Sequence, residues 1–115
     1  MDKGKKENIV LNRNFQFQQV YRKGQSYVSP LVITYVLEKQ RGLVRYGITT
    51  SRKIGNAVER NRARRVIKAA VIELLPKIDK ACDLVFVARK ATGKVKSTKL
   101  YLVIYEQLKR NGIIL

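Results

Sequence analysis

Phe17, Val20 and Tyr21 recur at i, i+3 and i+4 with Gly24 just beyond them, which predicts a short helix over residues 14–23. The period then changes. Ser26–Val28 reads as a small edge strand stopped by Pro30. Residues 31–38 and 43–50 are rich in β-branched and aromatic types, and the connection Lys39–Gly42 is short. The pattern therefore predicts that these two runs pair as an antiparallel hairpin. Gly55 and Asn56 end the strand pattern, and a helix is predicted over 57–75, closed by Pro76. Its residues Ala63, Val66, Ile67, Ala70 and Leu74 share one face. Asp83–Arg89 reads as a buried strand. Ser97 or Thr98 is expected to cap a last helix, which carries Leu100, Val103, Ile104 and Leu108 at core spacing and ends before Gly112. The order α-β-β-β-α-β-α predicts an α+β sandwich with helices packed on a four-stranded sheet. Residues 1–115 read as a single domain without repeats or linkers, of which 1–8 are expected to be mobile.

Charge changes this picture from a fold to a binder. The chain carries 25 basic and 8 acidic residues, a formal net charge of +17. Such an excess repels itself in a folded state and is expected where a polyanion supplies the counter-charge. Nucleic acid is the first candidate and an anionic membrane surface the second. No apolar run reaches the length of a membrane span, and no secretory signal is visible, so the chain reads as cytosolic. The charge is concentrated in residues 51–68, where seven basic residues face one acid, Glu59, for a net of +6. On the helical wheel Asn61, Arg64, Arg65 and Lys68 lie nearly opposite the apolar stripe, with Arg60 and Arg62 flanking them. Arginines on a folded helix offer bidentate forks to phosphates.

Catalytic equipment is sparse. There is no histidine, which removes Ser-His-Asp and Cys-His constellations and the commonest metal ligand. The eight acids are scattered, and Cys82 before a strand reads as a small core residue. A second surface is aromatic: Phe17 and Tyr21 share a helix face, and Tyr35 lies on the following strand. Such rings either stack unpaired bases or form the helix–sheet core, and spacing alone leaves both open. Arg45, Gly47, Thr49 and Ser51 alternate along the next strand as a small polar face, so a groove between that strand and the first helix would suit a single strand of RNA.

Ser51-Arg52-Lys53-Ile54-Gly55-Asn56-Ala57-Val58, followed by Arg60-Asn61-Arg62 and Arg64-Arg65, closely resembles the signature of the protein subunit of bacterial ribonuclease P. Phe17-x-x-Val20-Tyr21-x-x-Gly24, Arg45-x-Gly47 and Ala88-Arg89 extend the match over nearly the whole chain. The resemblance implies a ribosomal-protein S5 domain-2-like fold with a left-handed β-α-β crossover. It implies a subunit of an RNA-based endonuclease that removes the 5′ leader of precursor tRNA, with hydrolysis, and the Mg²⁺ it uses, belonging to the RNA. The implied partners are ribonuclease P RNA, one per protein, and precursor tRNA. Arg60, Asn61, Arg62, Arg64, Arg65 and Lys68 would face the catalytic RNA. Phe17, Tyr21, Tyr35, Thr49, Ser51 and Lys53 would line the leader cleft, with the choice between Phe17 and the neighbouring Phe15 left open. A small ribosomal protein would share the charge and size, and a free-standing nuclease is disfavoured by the missing histidines.

Overall fold

The computed structural model describes residues 9–114, so the reading of residues 1–8 as mobile lies outside the described residues. Five strands and three helices follow in the order β1 (Ile9–Val10), α1 (Asn14–Lys23), β2 (Gln25–Val28), β3 (Val32–Glu38), β4 (Val44–Thr49), α2 (Ala57–Leu74), β5 (Cys82–Ala88) and α3 (Ser97–Asn111). The three predicted helices and four predicted strands are all present, and the α+β class stands. The two-residue β1, parallel to β4, adds an edge that no periodicity announced.

The sheet order is β1-β4-β5-β3-β2, and it corrects the predicted hairpin. β3 and β4 do not pair with each other. β5 lies between them, antiparallel to β3 and parallel to β4. The physical reason is burial. Cys82 to Phe86 are all buried, and a run that is apolar on both faces belongs at the centre of a sheet with layers on either side. The 39–43 connection therefore bridges across the start of β5, where Lys39 N–H donates to Ala81 O at 2.9 Å.

Alternation along β5 separates two cores. Leu84 and Phe86 pack with Ala63, Ile67, Ala70 and Leu74 of α2 and with Leu100, Ile104 and Leu108 of α3. Val85 packs on the other face with Val20 of α1 and Leu11. Cys82 is buried in the first core, and burial pushes its thiol up to about 12, as expected for a core residue. Gln107, buried among the apolar residues of α3, accepts from Thr34 Oγ1 at 2.6 Å and donates to Tyr27 O at 3.0 Å, tying α3 to β2 and β3. The predicted cap of α3 is corrected: Lys96 is the N-cap, Ser97 is already helical, and no side chain caps this end. Leu75–Lys77 closes α2 as a 3-10 turn around Pro76. Among the described residues no helix is long and apolar enough to cross a membrane.

Candidate nucleic-acid interface

The start of α2 is built by local chemistry. Asn56 Oδ1 accepts the Glu59 N–H and Glu59 Oε1 accepts the Asn56 N–H, both at 2.9 Å, forming a capping box. Glu59 packs against Gly55, whose φ of +144° is open only to glycine, so the turn into α2 has no room for a side chain there. The carboxylate is engaged at the cap and does not neutralise the face beyond it.

The six cationic-face residues divide into three groups. Asn61, Arg65 and Lys68 are exposed and point away from the core, with no protein hydrogen bond among the described residues. Arg60 and Arg64 turn back onto the chain. Arg60 Nη1 donates to Gly55 O at 2.7 Å, and Arg64 donates to Ile48 O and Thr50 Oγ1, both at 3.2 Å. They brace the turn between β4 and α2 while keeping their charge at the surface. Arg62 lies on the opposite flank of the helix, where its side-chain stem packs against Gly93 of the Thr92–Lys94 turn.

On the α1 face, register places nine side-chain positions in three rows. These are Thr49, Val87 and Ile33; then Gly47, Val85 and Tyr35; then Arg45, Asp83 and Leu37. α1 lies over the middle row. A Cβ on Gly47 would meet Phe17 Cζ at 2.5 Å, so the glycine exists to admit the ring. Phe15 is 66% exposed, so Phe17 is the ring of the pair that packs on the sheet. Tyr21 meets Tyr35 edge-to-face, with ring centroids 4.9 Å apart and planes at 70°. Burial pushes the Tyr21 phenol above its ordinary value, while the nearby Thr49 side chain pulls the other way. Phe17, Tyr21 and Tyr35 are half-buried against Leu11, Val20 and Val85, and Thr49 stands half-buried on the same sheet face.

Ser51 does not extend that face. β4 ends at Thr49, and Ser51 opens a turn in which its carbonyl accepts the Ile54 N–H at 3.0 Å and its Oγ the Lys53 N–H at 3.2 Å. The alternation that placed Ser51 beside Thr49 stops once the backbone leaves the strand. Ser51 and Lys53 instead stand exposed on the turn joining the groove to the cationic helix.

The sequence reading missed Arg89. It follows β5 and its Nη1 donates to Ser29 O at 3.0 Å, which sets a half-buried cation at the β2–β3 turn. The alternation of Val85 and Val87 continued by one residue pair was the available signal. It also missed the third row, in which Asp83 is 3% exposed and holds Arg45 through two bonds at 2.9 and 2.8 Å and Lys39 at 3.0 Å.

Comparison with known proteins agrees with this geometry. The family model described as Ribonuclease P matches residues 6–111. The ribonuclease P protein component of Bacillus mycoides is 38% identical over 110 residues, covering 95% of both chains. That of Bacillus cereus is 36% identical over 109 residues, covering 94% of this chain and 95% of the relative. Among solved structures, the RNase P protein of Staphylococcus aureus superposes with a TM-score of 0.79 at 25% identity, covering 95% of this chain and all of that one. The RNase P protein of Thermotoga maritima shares the fold, with a TM-score of 0.72 at 24% identity over 90% of this chain and 96% of that one. A family match over residues 6–111 and relatives of 36–38% identity over nearly the whole chain mean that the chain belongs to the ribonuclease P protein family.

Proposed function

We propose that this chain, as the protein component of ribonuclease P, binds the catalytic RNA through α2 and the single-stranded 5′ leader of precursor tRNA through a groove between α1 and the exposed margin of the sheet. The observation that carries this reading is the separation of two RNA-competent surfaces by one short braced turn. One is a cationic helix face that suits duplex or folded phosphates. The other is a half-buried aromatic groove that suits unstacked bases. Arg60 and Arg64 hold the turn between them, so an RNA seated on α2 and a leader seated beside Tyr35 keep a fixed relation. The left-handed sense of the β4–α2–β5 crossover and a ratio of one protein per RNA are part of the same proposal.

Hydrolysis belongs to the RNA in this reading. Among the described residues no group of three His, Cys, Asp or Glu side chains is placed to hold a metal ion. Mg²⁺ bound by the RNA would activate water and stabilise the leaving oxygen. The protein's part is to lower repulsion between catalytic RNA and substrate and to hold the leader. If roughly 6–8 phosphates are neutralised in all, log K falls with log salt at a slope of about −5 to −7.

The direct test is multiple-turnover cleavage of a 5′-extended precursor tRNA at low Mg²⁺ by a bacterial ribonuclease P RNA, with and without this chain. Cleavage at the mature 5′ end should require both. In the same assay Tyr35→Ala should weaken precursor binding by about 1–3 kcal/mol, the cost of losing one base–aromatic stack, and leave mature tRNA binding unchanged. Equal losses for precursor and mature tRNA would return Tyr35 to the core and remove the leader groove from the proposal.

A further inference from the structure

A cavity of about 540 Å³ opens beside the start of α2, between the Ile54 end of the braced turn, the helix and the Thr92–Lys94 turn. Its wall is mixed in a specific way. Ile54 and Val58 supply apolar surface, and Arg62, Lys90 and Lys94 supply three cations from two separate elements. Val58 is 70% exposed although it sits beside the most cationic stretch of the chain, where an exposed apolar side chain gains nothing from solvent. Glu59 also borders the cavity, but its Oε1 accepts the Asn56 N–H. The floor is tight: a Cβ on Gly93 would lie 3.4 Å from both Ala63 N and Arg62 Cγ, so the turn is packed directly on the helix and the cavity is a fixed feature of the fold. Arg62 differs from Arg60 and Arg64 in lining this cavity rather than bonding to the chain's own carbonyls.

Resting on the reading of α2 as the surface that meets the catalytic RNA, we infer that this cavity receives one unpaired nucleotide of that RNA. The base would lie against Val58 and Ile54, and its phosphates would be met by Arg62, Lys90 and Lys94. A plain phosphate needs no apolar wall, and an apolar peptide needs no three cations. A nucleotide turned out of its helix presents a flat apolar face and a charged backbone together, which is the combination on this wall. The volume lies in the range of sites that enclose a single small ligand. The assignment gives Lys90, Lys94 and Val58 a role and separates Arg62 from the phosphate-facing residues Arg65 and Lys68.

The test compares Val58→Ser with the pair Lys90→Gln and Lys94→Gln in assembly with a full-length bacterial ribonuclease P RNA over a salt series, with chemical probing of the RNA's unpaired nucleotides. Val58→Ser, an exposed and uncharged change, should weaken assembly about fivefold, in proportion to the apolar contact removed, and leave the salt slope unchanged. The lysine pair should weaken assembly and make the slope shallower by about 2. One nucleotide of the catalytic RNA should be protected by the native chain and exposed with Val58→Ser. Unchanged affinity for Val58→Ser, or protection that maps to the precursor's leader instead, overturns the inference. Full assembly by a variant lacking Arg65 and Lys68 would instead overturn the reading of α2 on which it rests.

Discussion

Replacing Arg65 and Lys68 with alanine is expected to weaken assembly with ribonuclease P RNA about 100-fold and leave the thermal melt of the free protein unchanged. Both side chains are exposed, on the face opposite Ala63, Ile67 and Ala70, and neither is bonded within the described residues. Each gives up a solvent-exposed phosphate contact worth about 1.4 kcal/mol, a factor of ten apiece, and the two lie one helical turn apart on a common partner. The salt dependence should become shallower by about 2, one unit for each phosphate that is no longer neutralised. Arg60→Ala and Arg64→Ala are expected to behave differently. Their guanidinium groups hold Gly55 O, Ile48 O and Thr50 Oγ1, so their removal loosens the β4–α2 turn and should also reduce precursor selectivity. Binding titrations against catalytic RNA, at three or more salt concentrations, separate the two patterns. An unchanged slope for the Arg65 and Lys68 variant would mean that this face meets no phosphate.

Asp83→Asn is expected to lower the stability of the free protein by about 2–3 kcal/mol at neutral pH, because it leaves two cations around a buried site without their counter-charge. The figure sits below that of a fully buried pair since Arg45 and Lys39 keep 29% and 28% of their side-chain surface exposed. Burial alone would raise the Asp83 carboxyl, but the hydrogen bonds and charges of Arg45 and Lys39 outweigh it and leave the group below its ordinary range. A carboxyl lowered by folding stabilises the protein fully above its unfolded value of about 3.9 and ceases to do so as pH falls through the lower folded value. The gap between native chain and variant should therefore hold at pH 7 and narrow below about pH 4. Urea melts at both ends of that range would show it. A gap that stays constant down to pH 3 would mean that packing, not the ion network, accounts for the destabilisation.

Local chemistry made much of this molecule legible. The α1 boundaries follow from the spacing of Phe17, Val20 and Tyr21, and the start of α2 from Gly55 and Asn56; the structure adds Glu59, which closes a capping box with Asn56. The cationic face was readable because helix periodicity fixes which side of α2 each arginine occupies. It was not readable which arginines stay free, since the carbonyl that holds Arg64 belongs to a strand 16 residues away. The groove was half legible: the aromatic residues could be named, but whether they stack bases or fill a core depends on how deeply α1 settles onto the sheet. That depth is set by the missing side chain of Gly47, which lets Phe17 down onto β4.

Sequence alone determined the three helices, the four longer strands, a cationic helix face suited to a polyanion and the absence of histidine-based chemistry, because each is a property of composition or of neighbours within a few residues. Tertiary structure alone decided the order of the strands and everything that depends on it. A short loop between two β-rich runs argues for a hairpin, yet β5 displaces that pairing because its side chains need cover on both faces. The insertion aligns Thr49, Gly47 and Arg45 with Val87, Val85 and Asp83, and so creates both the floor of the groove and the buried ion network. Local periodicity carries no information about which strand arrives from beyond the next helix, and burial of the most apolar strand settles it.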